Sequence, residues 1–386
     1  WNRVCGAVER GRPRHRRHHG PTRQHVLFSD QTHVDSGPRG GCPRTRRKGE
    51  LRFGTIDAWL LFNLTGEHVT DVTNASRTML MDIHTGQWSA RMLDLTGIPE
   101  QLLPRICPSV GELGNVRSNQ LLSGTAVTGV LGDQQSAAFG QVCFGYGDTK
   151  VTFGTGCFLL TNTGTEIVRS RHGLVSTVAY QITGQPLQYA LEGSIAVAGS
   201  LVQWLRDNLG IISTSNEVET LAASVDDSGG VFFVPAFAGL FAPRWRPDAR
   251  GTIVGLTGFT TAAHIARAAL DSTAFQAAEV VDALISDVGT DMGTIRVDGG
   301  MSVNDAFLQF LADILDSPVV RPTETESTAV GACFAAGVGV GLYTHADVAS
   351  LWRQDRVFSP HMDSNTREHL RARWNEAVER SLNWEH

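Results

Sequence analysis

Short apolar runs alternate with longer helical patterns from Leu51 to the end of the chain. The runs GGVFFVPAF at residues 229–237 and IRVDGG at 295–300 are typical of strands. TAVTGVLG at 125–132 predicts a buried strand, and the longest helical pattern covers residues 264–288. This alternation predicts an α/β fold, and we find no internal repeat with a period of about 20–50 residues.

Two further segments predict helices. FGTIDAWLLFNLTG at residues 53–66 predicts a helix that ends at its glycine and carries Trp59, Leu60 and Leu64 on one apolar face. LEGSIAVAGSLVQWLRDNLG at residues 191–210 predicts a single continuous helix, because its apolar positions recur at helical spacing.

Residues 1–50 have a different character. They carry 12 basic and 4 acidic side chains, a net charge of +8, whereas the other 336 residues carry 21 basic and 35 acidic side chains, a net charge of −14. No apolar periodicity of 3.6 or 2 is present, so neither a helix nor a strand with a buried face is predicted. A basic arm for nucleic acid is one interpretation, but no interleaved aromatic residues support it, and we expect no nucleic-acid partner.

Length and composition restrict the class of protein. A chain of 386 residues with 41% hydrophobic content is long enough for roughly two or three domains with packed cores. The most apolar small-residue stretch, residues 329–343, is shorter than the roughly 20 residues of a membrane-spanning helix. The six cysteines form no CxxC pair, so a disulfide framework or structural zinc site is not indicated. We therefore expect a cytoplasmic protein without a membrane span. A homo-oligomer is compatible with this composition.

Asp133 stands between a predicted strand and a predicted helix. Ligands of open α/β sheets collect beyond the carboxyl ends of strands, where a carboxylate can take a proton from a hydroxyl group. An aspartate at this position is equally suited to capping the helix. The local pattern leaves both interpretations open.

Two glycine turns offer backbone N–H groups to a phosphate. The first is Gly154-Thr155-Gly156, in a predicted hairpin; the second is Asp298-Gly299-Gly300, before a helix at whose start Ser302 or Asn304 could act as cap. Ordinary turns account for these glycines equally well, and neither turn matches a P-loop or a GxGxxG fingerprint. One strand-end carboxylate and two glycine turns in an α/β chain suggest phosphoryl transfer.

Eight motifs follow one another along the chain: FGTIDAWL, DVTNASRTML, GDQQSAAFGQ, FGTGCFLLTNTG, ALEGSIAVAGSLVQWLRD, PAFAGLFAP, ARGTIVGLT and RVDGGMSVND. In this order they closely resemble the FGGY carbohydrate kinase family, and the resemblance covers residues 49–386. It implies an actin-like (ribonuclease H-like) ATPase fold of two domains with ATP bound between them. By this resemblance, residues 49–141 are the remainder of the N-terminal domain, residues 142–386 are the C-terminal, nucleotide-binding domain, and residues 1–48 are unmatched.

The TNASRT and GDQQ motifs resemble the branch of the family that phosphorylates glycerol more than the branches that act on xylulose or gluconate. The resemblance thus implies transfer of the γ-phosphate of ATP to glycerol with the help of Mg²⁺, and another small polyol or sugar is the alternative substrate. Asp133 is similar to the carboxylate that binds the polyol and takes its proton. Gln134 is similar to its neighbour in the substrate pocket, and Phe158 to the aromatic residue that packs on the glycerol carbons.

The nucleotide site is implied in the same way. Thr155 resembles the hydroxyl residue that contacts the nucleotide phosphates in the second phosphate loop. The residues similar to those that line the adenosine pocket are Gly199, Gln203, Gly300 and Asn304. No protein ligand of a metal ion is implied among the matched positions.

The first 50 residues depart from the family pattern. Family members begin with a strand and an Asp-Gln-Gly-Thr-Thr-type phosphate loop, and they hold glycerol with an Arg-Glu pair; residues 1–50 match neither feature. The first domain is therefore predicted to be incomplete, which leaves a catalytically inactive, nucleotide-binding remnant as a second interpretation. A one-base shift in a back-translation of residues 32–38 permits Leu-Thr-Trp-Ile-Leu-Asp, a family motif. Our hypothesis is that residues up to about Arg47 are an out-of-frame reading.

Overall fold

The computed structural model describes residues 52–118, 120–290 and 294–385. The basic segment and its predicted out-of-frame origin lie outside these ranges. The helices are α1 (Ile56–Thr65), α2 (Val72–Ser76), α3 (Ala90–Thr96), α4 (Asp133–Gly140), α5 (Gly199–Asp207), α6 (Glu217–Ala222), α7 (Ala262–Val288), α8 (Asp305–Leu315), α9 (Ser327–Gly339), α10 (His345–Leu351) and α11 (Ser364–Ser381), with 3₁₀ helices at Glu100–Leu102 and Gly300–Val303.

The strands are β1 (Val69–Asp71), β2 (Met81–Asp82), β3 (Gln87–Trp88), β4 (Arg105–Cys107), β5 (Val110–Asn115), β6 (Ala126–Gly129), β7 (Thr149–Phe153), β8 (Cys157–Gly164), β9 (Val175–Tyr180), β10 (Gln188–Ile195), β11 (Phe232–Val234), β12 (Thr252–Val254), β13 (Ile295–Asp298), β14 (Val319–Pro322) and β15 (Gln354–Phe358). Seven of them form one mixed sheet in the order β15-β14-β13-β7-β8-β10-β9. In this sheet β13 is parallel to β7 and β14, and the other neighbours are antiparallel. The α/β prediction is confirmed.

The large sheet is the middle layer of three. Successive residues of a strand point to opposite faces, so Leu159 packs in the core beneath α7 while Leu160 packs with Phe139 of α4 and Ala335 of α9. Both leucines are at most 2% exposed, as expected for a strand covered on its two sides. The site loops at the ends of these strands therefore rest on a rigid support.

Helices α4 and α9 touch through a glycine. A Cβ atom at Gly331 would lie 1.8 Å from the carbonyl oxygen of Ser136, so only glycine permits the two backbones to come this close. The small-residue composition of residues 327–339 follows from this contact. It fixes α4, whose first residue is Asp133, against the second half of the chain.

The single helix predicted at residues 191–210 is wrong in its first part. Residues 191–195 belong to β10, which is paired with β8 and β9, and the helix begins only at Gly199. Pairing on both edges decides the conformation here, because apolar spacing over a few residues cannot distinguish a buried strand from a helix.

The structure also shows which residues α1 and β6 bury. Trp59 and Leu60 of α1 are 45% and 49% exposed, and Leu64 is half-buried; the helix instead turns Leu61 and Asp57 inward. The Asp57 carboxylate accepts a 2.6 Å hydrogen bond from buried Thr70, which sets this rotation. The strand predicted at 125–132 is confirmed as β6. Within the described part of the chain it pairs with β5 and only Thr128 of its four residues is buried, so the predicted burial is wrong for these residues.

Among the helices just described, none combines the length and apolar character needed to cross a membrane.

Candidate active site

The predicted phosphate turn at residues 154–156 joins β7 and β8 and rests on the start of α5. The carbonyl oxygen of Thr155 accepts hydrogen bonds from the backbone N–H groups of Ala198 and Ser200, at 3.1 and 3.0 Å. The N–H of Gly199 donates to the carbonyl oxygen of Gly154 at 2.9 Å. These bonds connect the hairpin turn to the helix that carries Gln203.

Gly199 allows this close contact. A Cβ atom at this position would lie 2.5 Å from the carbonyl oxygen of Gly154, closer than real Cβ contacts. Any larger residue would push away the turn that holds Thr155.

The second predicted glycine turn follows β13. Gly299 has a φ of +88°, and the chain continues through the 3₁₀ helix into α8. The side chain of Asn304 caps α8 by accepting a 2.8 Å hydrogen bond from the N–H of Phe307. The capping interpretation of Asn304 is therefore confirmed, and the cap also fixes this side chain at the edge of a cavity.

All five predicted nucleotide-site residues line one cavity of about 490 Å³. Thr155, Gly199, Gln203, Gly300 and Asn304 come from three elements separated by up to 149 positions in sequence, from 155 to 304. The rest of the wall includes the apolar residues Val202, Val218, Leu270 and Met301 and the polar residues Ser215, Asn216 and Glu219. A volume of this size, with an apolar wall and a few convergent polar groups, suits a small-molecule ligand.

The three predicted polyol-site residues, Asp133, Gln134 and Phe158, do not line this cavity. Asp133 is exposed as the first residue of α4, and its Oδ1 accepts a 2.8 Å hydrogen bond from the N–H of Gln134. The phenyl ring of Phe158, at the start of β8, is partly exposed, with 36% relative accessibility. Buried Lys150 joins two of these residues: its Nζ donates to Oε1 of Gln134 and, at 3.5 Å, to the carbonyl oxygen of Phe158.

A buried carboxylate supports the turn before Asp133. Asp71 accepts hydrogen bonds from Thr73 and from Ser109, the latter at 2.6 Å, and the hydroxyl oxygen of Thr73 accepts a 2.7 Å bond from the N–H of Gly132. Burial raises the pKa of Asp71, while these hydrogen bonds act to lower it. The motif at residues 71–80 is therefore the support of the turn that presents Asp133.

Lys150 and Glu192 were not predicted as site residues from the sequence, and Asp298 was named only as the first residue of a glycine turn. All three are nearly or fully buried, and Oδ1 of Asp298 has no hydrogen-bond partner among the described residues. The available signal was a lysine inside a short predicted strand whose other residues are uncharged. It has meaning only once β7 is known to lie between β13 and β8, where a lysine cannot reach solvent.

A bidentate ion pair joins the two halves of the described chain near the site. Arg77 donates from Nη1 and Nη2 to the two oxygens of Glu192, both at 2.8 Å. The side chain of Glu192 is 5% exposed and that of Arg77 is 36% exposed. Removing Arg77 therefore leaves a buried charge, whereas removing the charge of Glu192 leaves a partly exposed one.

We expect Arg77→Met to destabilise the protein more than Glu192→Gln. The first change leaves a buried carboxylate without its cation, which costs about 3–5 kcal/mol, whereas the exposed guanidinium left by the second can be hydrated. The free energy of unfolding from urea titrations measures both. A larger loss for Glu192→Gln would contradict the argument.

A second cavity, of about 550 Å³, lies between α7 and α11 and contains none of the predicted site residues. Asp271 lines it, and burial raises the pKa of this carboxyl to about 7 although Arg267 lies 3.0 Å away.

Within the described part of the chain, no group of three or more His, Cys, Asp or Glu side chains could hold a metal ion.

Two family domain models match separate parts of this chain. Residues 149–340 match the C-terminal domain of the FGGY family of carbohydrate kinases, and residues 42–140 match its N-terminal domain. The second match begins inside the basic segment. The predicted boundary after residue 141 stays a prediction.

Curated relatives carry the name glycerol kinase. The protein from Nocardia farcinica is 56% identical over 342 residues, which cover 87% of this chain and 68% of the relative. The protein from Pseudarthrobacter chlorophenolicus is 53% identical over 350 residues, covering 89% of this chain and 69% of the relative. This chain thus spans about two thirds of the length of these relatives.

Solved structures agree on the fold. Plasmodium falciparum glycerol kinase with ADP is 41% identical, with a TM-score of 0.86 over 92% of this chain and 71% of that one. A ligand-bound xylulose kinase from Lactobacillus acidophilus has a TM-score of 0.76 at 22% identity, over 92% of this chain and 75% of that one. The second likeness concerns the fold alone.

Proposed function

We propose that this chain, which belongs to the FGGY family of carbohydrate kinases, transfers the γ-phosphate of ATP to glycerol, giving sn-glycerol 3-phosphate and ADP. The observation that carries the proposal is the cavity in which Thr155, Gly199, Gln203, Gly300 and Asn304 meet. Identity above 50% to proteins named glycerol kinase supports the choice of acceptor.

The cavity is the proposed nucleotide site. Its apolar wall suits the adenine ring, and Gln203 and Asn304 offer amide groups to the nucleoside. The turn at Thr155 presents a hydroxyl group and backbone N–H groups to the phosphates, which need donors to spread their charge during transfer.

Asp133 is the proposed general base. Its exposed carboxylate takes the proton from a glycerol hydroxyl while that oxygen bonds to the γ-phosphorus and the bond from phosphorus to the β-phosphate oxygen breaks, releasing ADP. Gln134 orients the polyol through its amide, and the exposed part of Phe158 packs on the glycerol carbons.

Mg²⁺ is part of this proposal. The ion is typically held by the nucleotide phosphates, by water and by one or two carboxylates, so it would enter the site with ATP and the phosphates would supply its main ligands. The ion would neutralise phosphate charge during transfer.

The second candidate function is nucleotide binding without transfer. It is favoured by the side chains that α1 exposes among the described residues, Ile56, Trp59, Leu60 and Phe62, each at least 45% accessible. An apolar surface of this kind normally packs against another segment or a partner.

The discriminating experiment is glycerol-dependent ADP release. We expect turnover with glycerol and Mg²⁺-ATP, and much weaker turnover with xylulose or gluconate. ADP binding measured by calorimetry without any turnover would support the second candidate, and turnover with another polyol only would overturn the choice of glycerol. Turnover is measured by coupled-enzyme detection of ADP, and reactions without an acceptor are the control.

The free thiols fit the proposed cytoplasmic location. Cys107, Cys143 and Cys157 are buried and Cys333 is exposed, and these four form no disulfide with one another, as is usual in a reducing compartment.

A further inference from the structure

Lys150 lies in the centre of the large sheet, beneath the proposed polyol site. It is 0% exposed and sits on β7, opposite Arg296 of β13 and Leu160 of β8. Its ammonium group has three N–H donors, and three acceptors receive them: Oε1 of Gln134, Oγ1 of Thr152 at 2.8 Å and the carbonyl oxygen of Phe158 at 3.5 Å. All three acceptors are uncharged.

We propose that Lys150 is a positioning residue for the polyol acceptor, holding the Gln134 side chain against the strand that carries Phe158. The proposal rests on the proposed function, since it assigns these two residues to the polyol site. Lys150 also bonds to Thr152, three residues before Thr155, so one ammonium group connects the polyol side to the turn of the nucleotide side.

The charges around Lys150 indicate that it is retained for more than packing. Burial lowers its pKa, and the carboxylates of Asp298, Glu192 and Asp133 act in the opposite direction. An apolar side chain in the strand would avoid the cost of burying a cation. One buried cation therefore interacts with three carboxylates, of which Asp133 belongs to the proposed polyol site.

Amino-acid usage supports the same inference. The chain has 33 basic side chains, and only two of them, Lys48 and Lys150, are lysines. A compact ammonium group fits a small buried space and rotates its donors toward three acceptors, whereas the planar guanidinium group requires more room. Lysine at this position, in a chain whose basic residues are otherwise almost all arginine, therefore agrees with a role that needs the ammonium group.

The first test is Lys150→Met. We expect kcat/KM for glycerol to fall by about 10–100-fold, chiefly through a higher KM for glycerol, because Gln134 loses a charge-assisted hydrogen bond. The dissociation constant of ADP should change less than about threefold. In the Gln134→Met background, adding Lys150→Met should have little further effect on the glycerol KM, because the contact is already gone.

Val151→Ala is the matched control. Val151 is the next residue of the strand, is 1% exposed and packs on the opposite face, in the core beneath α7. It should lower stability without a selective rise in the KM for glycerol. Equal effects of Lys150→Met and Val151→Ala on glycerol and ADP would overturn the proposal.

A second measurement uses chains in which Lys150 is intact. Protein labelled with [¹⁵N]lysine has only two side-chain signals, and Lys48→Arg identifies that of Lys150. We expect this signal to be protected from solvent exchange and to shift on Gln134→Met and on addition of glycerol. The shift on Gln134→Met tests the contact between Lys150 and Gln134 even if the chain shows no turnover. Failure of the proposed function can therefore be distinguished from failure of this inference. A Lys150 signal that Gln134→Met leaves unchanged would overturn the inference.

Discussion

Asp133→Asn is expected to lower the rate of phosphate transfer to glycerol by about 10²–10⁴-fold, the usual contribution of a general base. The amide is isosteric with the carboxylate and can still accept the hydrogen bond from the N–H of Gln134, but it cannot take the proton of the attacking hydroxyl. ADP affinity should stay near that of the unaltered chain, because Asp133 does not line the nucleotide cavity.

The capping interpretation of Asp133 is wrong, because Gly132 is the N-cap of α4 and Asp133 is the first helical residue. A carboxylate there that only stabilises the start of α4 through its charge gives a different result. Loss of an exposed helix-start charge costs roughly 0.3–1 kcal/mol and leaves turnover unchanged. Asp94→Asn, an exposed charge change on α3, is the control for net charge. Single-turnover rates and thermal unfolding measured on both variants separate the roles, and full turnover by Asp133→Asn would rule out the general-base assignment.

The second large effect is expected at two glycines of the nucleotide cavity. Gly199→Ala should weaken ADP binding at least tenfold and destabilise the protein by about 1–3 kcal/mol, because its methyl group would meet the Gly154 carbonyl oxygen and displace the turn of Thr155. Gly300→Ala should leave stability unchanged, since its methyl group would meet no protein atom within 4 Å.

The same pair distinguishes a nucleotide site from an ordinary turn. If ADP occupies the open space at Gly300, the methyl group competes with it, and affinity falls without a loss of stability. Calorimetric titration with ADP and urea unfolding of each variant provide the measurement. Unchanged ADP affinity in both variants would place the nucleotide elsewhere.

Local chemistry made several features predictable. The hairpin with its Gly-Thr-Gly turn, the strand and turn at residues 295–300 and the 27-residue helix α7 all follow from residues close in sequence. The residues of the nucleotide site were found through resemblance to a family, because each glycine turn by itself was also explained as an ordinary turn. In the fold they line one cavity, and their roles stay predictions for the variants above.

The sequence alone determined which segments turn, that α1 ends at Gly66, and which short motifs could meet a phosphate, because these depend on backbone preferences over a few residues. Only the tertiary structure decided that residues 191–195 form a strand, that Trp59 and Leu60 face outward and that Lys150 is buried. These outcomes depend on partners distant in sequence. Lys150, for example, is buried because β13 pairs Arg296 with it. Burial and strand pairing are properties of the assembled sheet, and no local pattern contains them.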